Sequence, residues 1–225
     1  LLESGEDGEQ RQNKRFRVFG NIYLQMKPIE GLTLRSQFAP QMIYKREGVY
    51  IGPDSKNSTG KAESTTADYN QTLYWSYVWD NQVTYDKLFG LHHLNLSFVQ
   101  SIQMEEWEYS NQSAKGFSYN SLWYNLGASG LSNATKSTTD FEKRTLASFL
   151  GRVQYSFNER YLLTLSGRYD GSSRLAAGNQ WAFFPSAALA WRMSEEDFLK
   201  GFEQLSNLKL RISYGTTGND AVDIY

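Results

Sequence analysis

Apolar and polar residues alternate along most of this chain. From Arg15 to Met26 one face reads Phe16, Val18, Gly20, Ile22, Leu24, Met26, and the other Arg15, Arg17, Phe19, Asn21, Tyr23, Gln25. A period of two marks a β-strand with two unlike faces, because successive side chains point in opposite directions. The same pattern predicts strands over Leu32–Arg46, Tyr69–Tyr85, Leu91–Met104, Ser148–Phe157, Tyr161–Tyr169, Phe183–Met193 and Leu208–Tyr214. The expected fold is therefore all-β, an antiparallel up-and-down meander of about eight strands.

The connections alternate in length. Lys27–Gly31, Asp86–Gly90 and Asn158–Arg160 are short enough for hairpin turns. Glu47–Asp68, Glu105–Arg144 and Gly171–Ala182 are long and rich in Ser, Thr, Asn and Gly. Within Ser194–Asn207, Ser194 and Asp197 resemble a capping box and predict a short helix over Glu195–Gly201. Long loops at one end and tight turns at the other are the asymmetry of outer-membrane barrels, with the turns on the periplasmic side.

The polar face carries Arg15, Arg17, Arg35, Arg152, Arg168 and Arg211. So many cations cannot enter a dry core without partners, so this face meets water. The apolar face then needs either a second sheet or lipid, and eight strands of one pattern leave no second sheet. Arg35, Arg152, Arg168 and Arg211 are accordingly expected to face an aqueous lumen. Tyr, Phe and Trp number 15, 13 and 6, as suits a barrel with aromatic girdles.

The chain has no cysteine, which excludes disulfide scaffolds, thiolate zinc sites and thiol nucleophiles. A net charge of −1 gives no basic surface for nucleic acid. No apolar run reaches the length of a membrane helix, a criterion blind to barrel strands. Leu1–Arg15 contains no basic stretch followed by an apolar one, so no signal peptide is expected within it. His92 and His93 are adjacent on a strand and point to opposite faces, so no shared metal is expected. Glu105-Glu106 and Glu195-Glu196-Asp197 lack an accompanying base and nucleophile, so neither enzymatic activity nor a cofactor is expected. Asp170-Gly171-Ser172-Ser173-Arg174 reads better as a turn than as a ligand loop. Trp75, Trp79 and Trp191 fall on apolar faces and are expected to anchor in the membrane. Trp107, Trp123 and Tyr124 fall in the Glu105–Arg144 loop and Trp181 in the Gly171–Ala182 loop. These four are the candidates for contact with a substrate or partner, the alternative being packing of the loop on its own rim.

The stretch from Arg144 to Tyr225 resembles the SusC/RagA-type TonB-linked outer-membrane protein family. The residues that carry the likeness include Arg168-Tyr169-Asp170-Gly171-Ser172-Ser173-Arg174, Phe184-Pro185-Ser186 and Ala190-Trp191-Arg192-Met193-Ser194-Glu195-Glu196. Leu205-Ser206-Asn207-Leu208-Lys209-Leu210-Arg211 and Ser213-Tyr214-Gly215-Thr216-Thr217-Gly218-Asn219 complete the series, and Asn81–Asn95 is similar to a mid-barrel hairpin. The resemblance implies one segment, residues 1–225, of a large outer-membrane barrel of about 22 strands. It implies import of glycans or peptides, a SusD-like surface lipoprotein as lid, and energy from the TonB complex. Plug, TonB box and closing C-terminal strand are expected to lie outside the chain. Two alternatives compete: a complete eight-stranded structural or adhesion barrel, and a soluble carbohydrate-binding β domain.

Overall fold

The structure, a computed structural model, describes residues 8–58, 60–61, 64–128, 136–199 and 205–218. Nine strands follow in chain order: β1 (Glu9–Phe19), β2 (Ile22–Ile29), β3 (Leu32–Ile51), β4 (Thr66–Phe89), β5 (His92–Lys115), β6 (Lys136–Phe157), β7 (Tyr161–Ser172), β8 (Trp181–Arg192) and β9 (Lys209–Gly215). They form one sheet in the order β1-β3-β4-β5-β6-β7-β8-β9, with β2 also on β3. The expected meander is present. Among the described residues no pairing joins β1 to β9 and no second sheet occurs. A closed eight-stranded barrel and a two-sheet soluble domain therefore do not describe this chain.

The strand expected over Arg15–Met26 is two strands, broken at Gly20–Asn21. Both pair antiparallel with β3 in one unbroken register, Phe19 opposite Gln41 and Ile22 opposite Phe38. Gly20 thus falls opposite Pro40 and donates its N–H to the Pro40 carbonyl at 3.0 Å. Proline has no N–H to return, so the ladder fails at that step. The helix expected over Glu195–Gly201 is instead a 3-10 turn at Met193–Glu195. Residues 200–201 of that expectation lie outside the described ones.

The strands outrun their sequence pattern. β4 and β5 have 24 residues each and β6 has 22, whereas about 9–11 suffice to cross a bilayer. Of the expected Glu105–Arg144 loop, residues 105–115 belong to β5 and residues 136–144 to β6. The strands continue past the stretch in which apolar and polar residues alternate strictly.

Packing divides the chain into two units. One comprises Leu1–Gly20, Pro40–Ser76 and Glu105–Lys143, the other Asn21–Ala39, Tyr77–Met104 and Arg144–Tyr225. In the second, directly opposed residues share a face and form rows across β6–β9. Val153, Leu165, Ala187 and Tyr214 make one apolar row, and Tyr155, Leu163, Leu189 and Ile212 the next. This face is uncovered: Leu165 is 44% and Ile212 67% exposed. Aromatic rows bound it. Phe157, Tyr161 and Trp191 stack at the short-turn end with centroids 6.4 Å apart at each step, and Phe149, Trp181 and Tyr169 stack at the long-loop end. Ten residues separate Trp191 from Trp181 along β8, roughly 33 Å of strand, or about 25 Å of height at barrel tilt. That is the height of a lipid-facing band between aromatic girdles.

The first unit holds the long-loop ends of β3–β6. Its buried cluster is Tyr50, Ala67, Ala114, Phe117, Trp123 and Leu126. Tyr50, Ala67 and Ala114 continue the apolar parity of their strands, and the segment after β5 folds back over them.

Candidate functional site

The polar parity of each unit carries a candidate cluster, and each is described by itself. In the second unit Arg152 lies opposite Ser166, and Ser166 opposite Ser186, whose hydroxyls are 2.6 Å apart. Arg168 is opposite Leu150 and Phe184. Its Nε donates to both Asp170 carboxylate oxygens, at 2.7 and 2.8 Å, and its Nη2 donates to Ser148 Oγ at 3.3 Å. Arg152 and Arg168 line one groove of about 850 Å³ together with Asp170, Gln180 and Phe184. The sequence placed these two arginines on this face, and the structure brings them together. Arg35 lies on the same face of β3, with its guanidinium carbon 4.3 Å from the Tyr23 ring centroid and its Nη2 donating to Gln37. Arg211 lies on β9 opposite Ala190, in the parity of Ser213.

In the first unit the polar parity of β4 and β5 gathers Asn70, Tyr74, Glu105, Trp107, Tyr109 and Asn111. Trp107 lies within β5, not in a loop as expected, and its ring is 4.9 Å from that of Tyr74. The Tyr74 hydroxyl donates to Glu105 Oε1 at 3.4 Å, and Tyr109 Oη and Asn111 Nδ2 both donate to Asn70 Oδ1. Tyr74 and Tyr109 were not legible as site residues, since an aromatic residue at a polar-parity position carries no sequence signal of its own.

The other candidates separate. Trp123 is 5% exposed and packs on Gly48, where a Cβ would come within 2.1 Å of its ring. Tyr124 beside it is 64% exposed. Trp181, expected in a loop, is the first residue of β8 and stacks on Tyr169 at 4.8 Å on the apolar face. His92 and His93 do point apart. His92 Nδ1 meets the Tyr155 hydroxyl at 2.6 Å among the apolar-face aromatics, and His93 Nε2 meets Asp86 at 3.1 Å on the polar face. Glu196, expected at a helix start, instead accepts from the Tyr161 hydroxyl at 2.6 Å, the Trp191 indole at 2.9 Å and Arg160 at 3.2 Å.

A sheet with one wet, arginine-bearing face and one lipid-matched face is a barrel wall. The family described as TonB dependent receptor-like, beta-barrel matches residues 7–225. The chain belongs to this family. As a TonB-dependent receptor β-barrel segment its setting is the outer membrane, with the apolar rows against lipid. It is 32% identical over 220 residues to TonB-dependent receptor P26 of Formosa agariphila, covering 95% of this chain and 22% of that protein. It is 33% identical over 153 residues to TonB-dependent receptor SusC of Bacteroides thetaiotaomicron, covering 65% of this chain and 15% of that one. Among solved structures, that of the RagAB peptide transporter superposes with a TM-score of 0.85 at 24% identity, covering 96% of this chain and 24% of the other. That likeness concerns the fold. The chain spans about a fifth of the length of its curated relatives.

Proposed function

We propose that this receptor segment forms part of the wall and surface rim of an importer that carries oligosaccharides or peptides across the outer membrane. The reading rests on one observation: in the second unit the sheet has an apolar face of bilayer height and, opposite it, a polar face with arginines, hydroxyls and amides. Those groups work by binding and release, with no bond made or broken. In this reading residues 1–225 belong to a single barrel domain, and the plug and TonB-contacting segment are supplied by other parts of the full-length protein. The named relatives are receptors, and transport, not catalysis, is the activity proposed. A SusD-like lipoprotein is the proposed partner at the long-loop end, and the inner-membrane TonB complex the proposed energy source.

Within the polar face, Arg152, Arg168, Arg35 and Arg211 are proposed to line the substrate path. Trp107, set against Tyr74, is the proposed stacking surface for a sugar ring or peptide side chain, because aromatic faces bind such groups with little entropy loss. Tyr124 is the proposed rim contact to the lid. Trp123, packed against Tyr124, supports this role, whereas Trp181 stacks on Tyr169 on the apolar face and takes no part in it. The test is uptake of defined labelled oligosaccharides and peptides by cells with and without the full-length gene, and with and without TonB. Loss of one substrate class in both deletions supports the reading. Unchanged uptake of every class tested, in a strain without a second copy, overturns it.

A further inference from the structure

One feature of the first unit serves no role in a substrate path. On β1 and β3, Lys14 lies directly opposite Arg46. Both have the parity of Phe16, Val18, Met42 and Tyr44, so they lie on the lipid-facing side, one pair beyond the Phe16–Tyr44 aromatic pair. Like charges placed directly across a strand pair repel. On the other face the neighbouring pair, Arg15 and Lys45, is relieved by Glu47, 2.7 Å from Lys45 Nζ. The Lys14–Arg46 pair has no such relief. Among the described residues of β1, β3 and β4, no carboxylate shares its face toward the long-loop end; Glu9, Glu47 and Asp68 have the opposite parity. Arg46 Nη2 donates to Gln12 Oε1 at 3.3 Å, which orients the guanidinium and leaves its remaining donors available.

We propose that Lys14 and Arg46 bind the phosphate of an outer-leaflet lipid headgroup. Two cations beside exposed apolar residues of their own face, Phe16, Val18 and Tyr44, make a site of the kind in which basic residues recognise anionic lipid headgroups. Arginine offers paired N–H donors that match phosphate oxygens, and lysine adds a point charge. The surface next to the pair fixes the rest of the ligand. Phe16 is 58% and Val18 49% exposed, so the occupant carries hydrocarbon beside its anion. A soluble anion would leave that surface bare.

The experiment uses the full-length protein in detergent, titrated with a bisphosphorylated glucosamine-disaccharide lipid, the same lipid with its phosphates removed, and inorganic phosphate. The bisphosphorylated lipid is expected to bind, and the Lys14→Gln, Arg46→Gln double variant to weaken it by roughly tenfold or more, as loss of charge-assisted bonds demands. The dephosphorylated lipid is expected to bind as poorly to wild type, and millimolar inorganic phosphate not to displace the bound lipid. Lys14→Glu guards against misfolding. It creates a cross-strand Glu–Arg pair, which is expected to raise the unfolding temperature in lipid-free detergent and to abolish lipid binding. Arg17→Gln, on the opposite face, is expected to leave binding unchanged. Unchanged binding in the double variant or in Lys14→Glu, equal binding of the dephosphorylated lipid, displacement by inorganic phosphate, or an equal loss in Arg17→Gln would each overturn the assignment.

Discussion

Leu165 and Arg168 are three residues apart on β7 and face opposite ways. Leu165 lies between Val153 and Ala187 in the apolar row, and Arg168 is held by Asp170 on the wet face. In the full-length barrel, Leu165→Arg is expected to cost about 2–4 kcal/mol near mid-bilayer, while Arg168→Gln costs little. Reversible unfolding in bilayers measures both, and equal costs would place the register one residue out. Glu196 makes a second case. Hydrogen bonds from Tyr161, then Trp191 and Arg160, hold its carboxyl below the ordinary carboxylate range. A depressed folded-state pKa contributes stability above the unfolded value, and that contribution fades as pH falls through the folded value. Wild type should therefore lose melting temperature relative to Glu196→Gln on acidification from about pH 5 downward. Parallel melting curves at every pH would remove Glu196 from the girdle's support.

At the scale of elements, the sequence was readable wherever one face met lipid and the other water. β9 lies within one residue of its expected bounds and β7 begins at Tyr161 as read, because Leu163, Leu165, Leu210 and Ile212 keep strict alternation; β7 then runs on to Ser172, through the turn expected at Asp170–Arg174. Strict alternation fades toward the long-loop ends of β5 and β6, so those ends, and Trp107 with them, read as loop in the sequence. Nor does parity reveal a missing donor, which is why the break opposite Pro40 escaped notice. Of the site, the arginine positions were legible and the Tyr74–Trp107 pairing was not, because it depends on register between strands. The fold-back after β5 offers a test. A Cβ at Gly48 would overlap the Trp123 ring, so Gly48→Ala should expel Trp123 and forfeit burial of the kind worth about 3–5 kcal/mol for a large aromatic. Limited proteolysis should then cut within 117–126 in the variant and not in wild type. The turn after β6 offers another. Asn158 and Glu159 both have positive φ, 49° and 52°, as a type I′ turn requires. Glu159→Gly should relieve roughly 1 kcal/mol of left-handed strain, measurable as slower unfolding of the barrel.

At the scale of the molecule, the chain is a stretch of wall whose strands rise well beyond any bilayer. The paired length of β4 and β5 is more than twice what crossing needs. A barrel of this kind carries its rim on sheet, so the rim contact proposed for Tyr124 would stand on a support that does not depend on loop order.

That length of strand has a consequence for exposure to proteases. A serine protease needs a lone extended segment to fill its cleft, and a segment held in a sheet by backbone hydrogen bonds cannot enter it. The first unit is rich in trypsin targets: Arg11, Lys14, Arg15, Arg17, Lys45 and Arg46 all lie in β1 or β3. Lys56 and Lys61 lie between β3 and β4, outside both strands. Trypsin added to intact cells should therefore nick the full-length protein at Lys56 or Lys61 and spare the six strand sites, as peptide mapping of shaved cells would read out. The extended strands then amount to armour, which leaves the receptor cleavable chiefly where a cut does not unravel it.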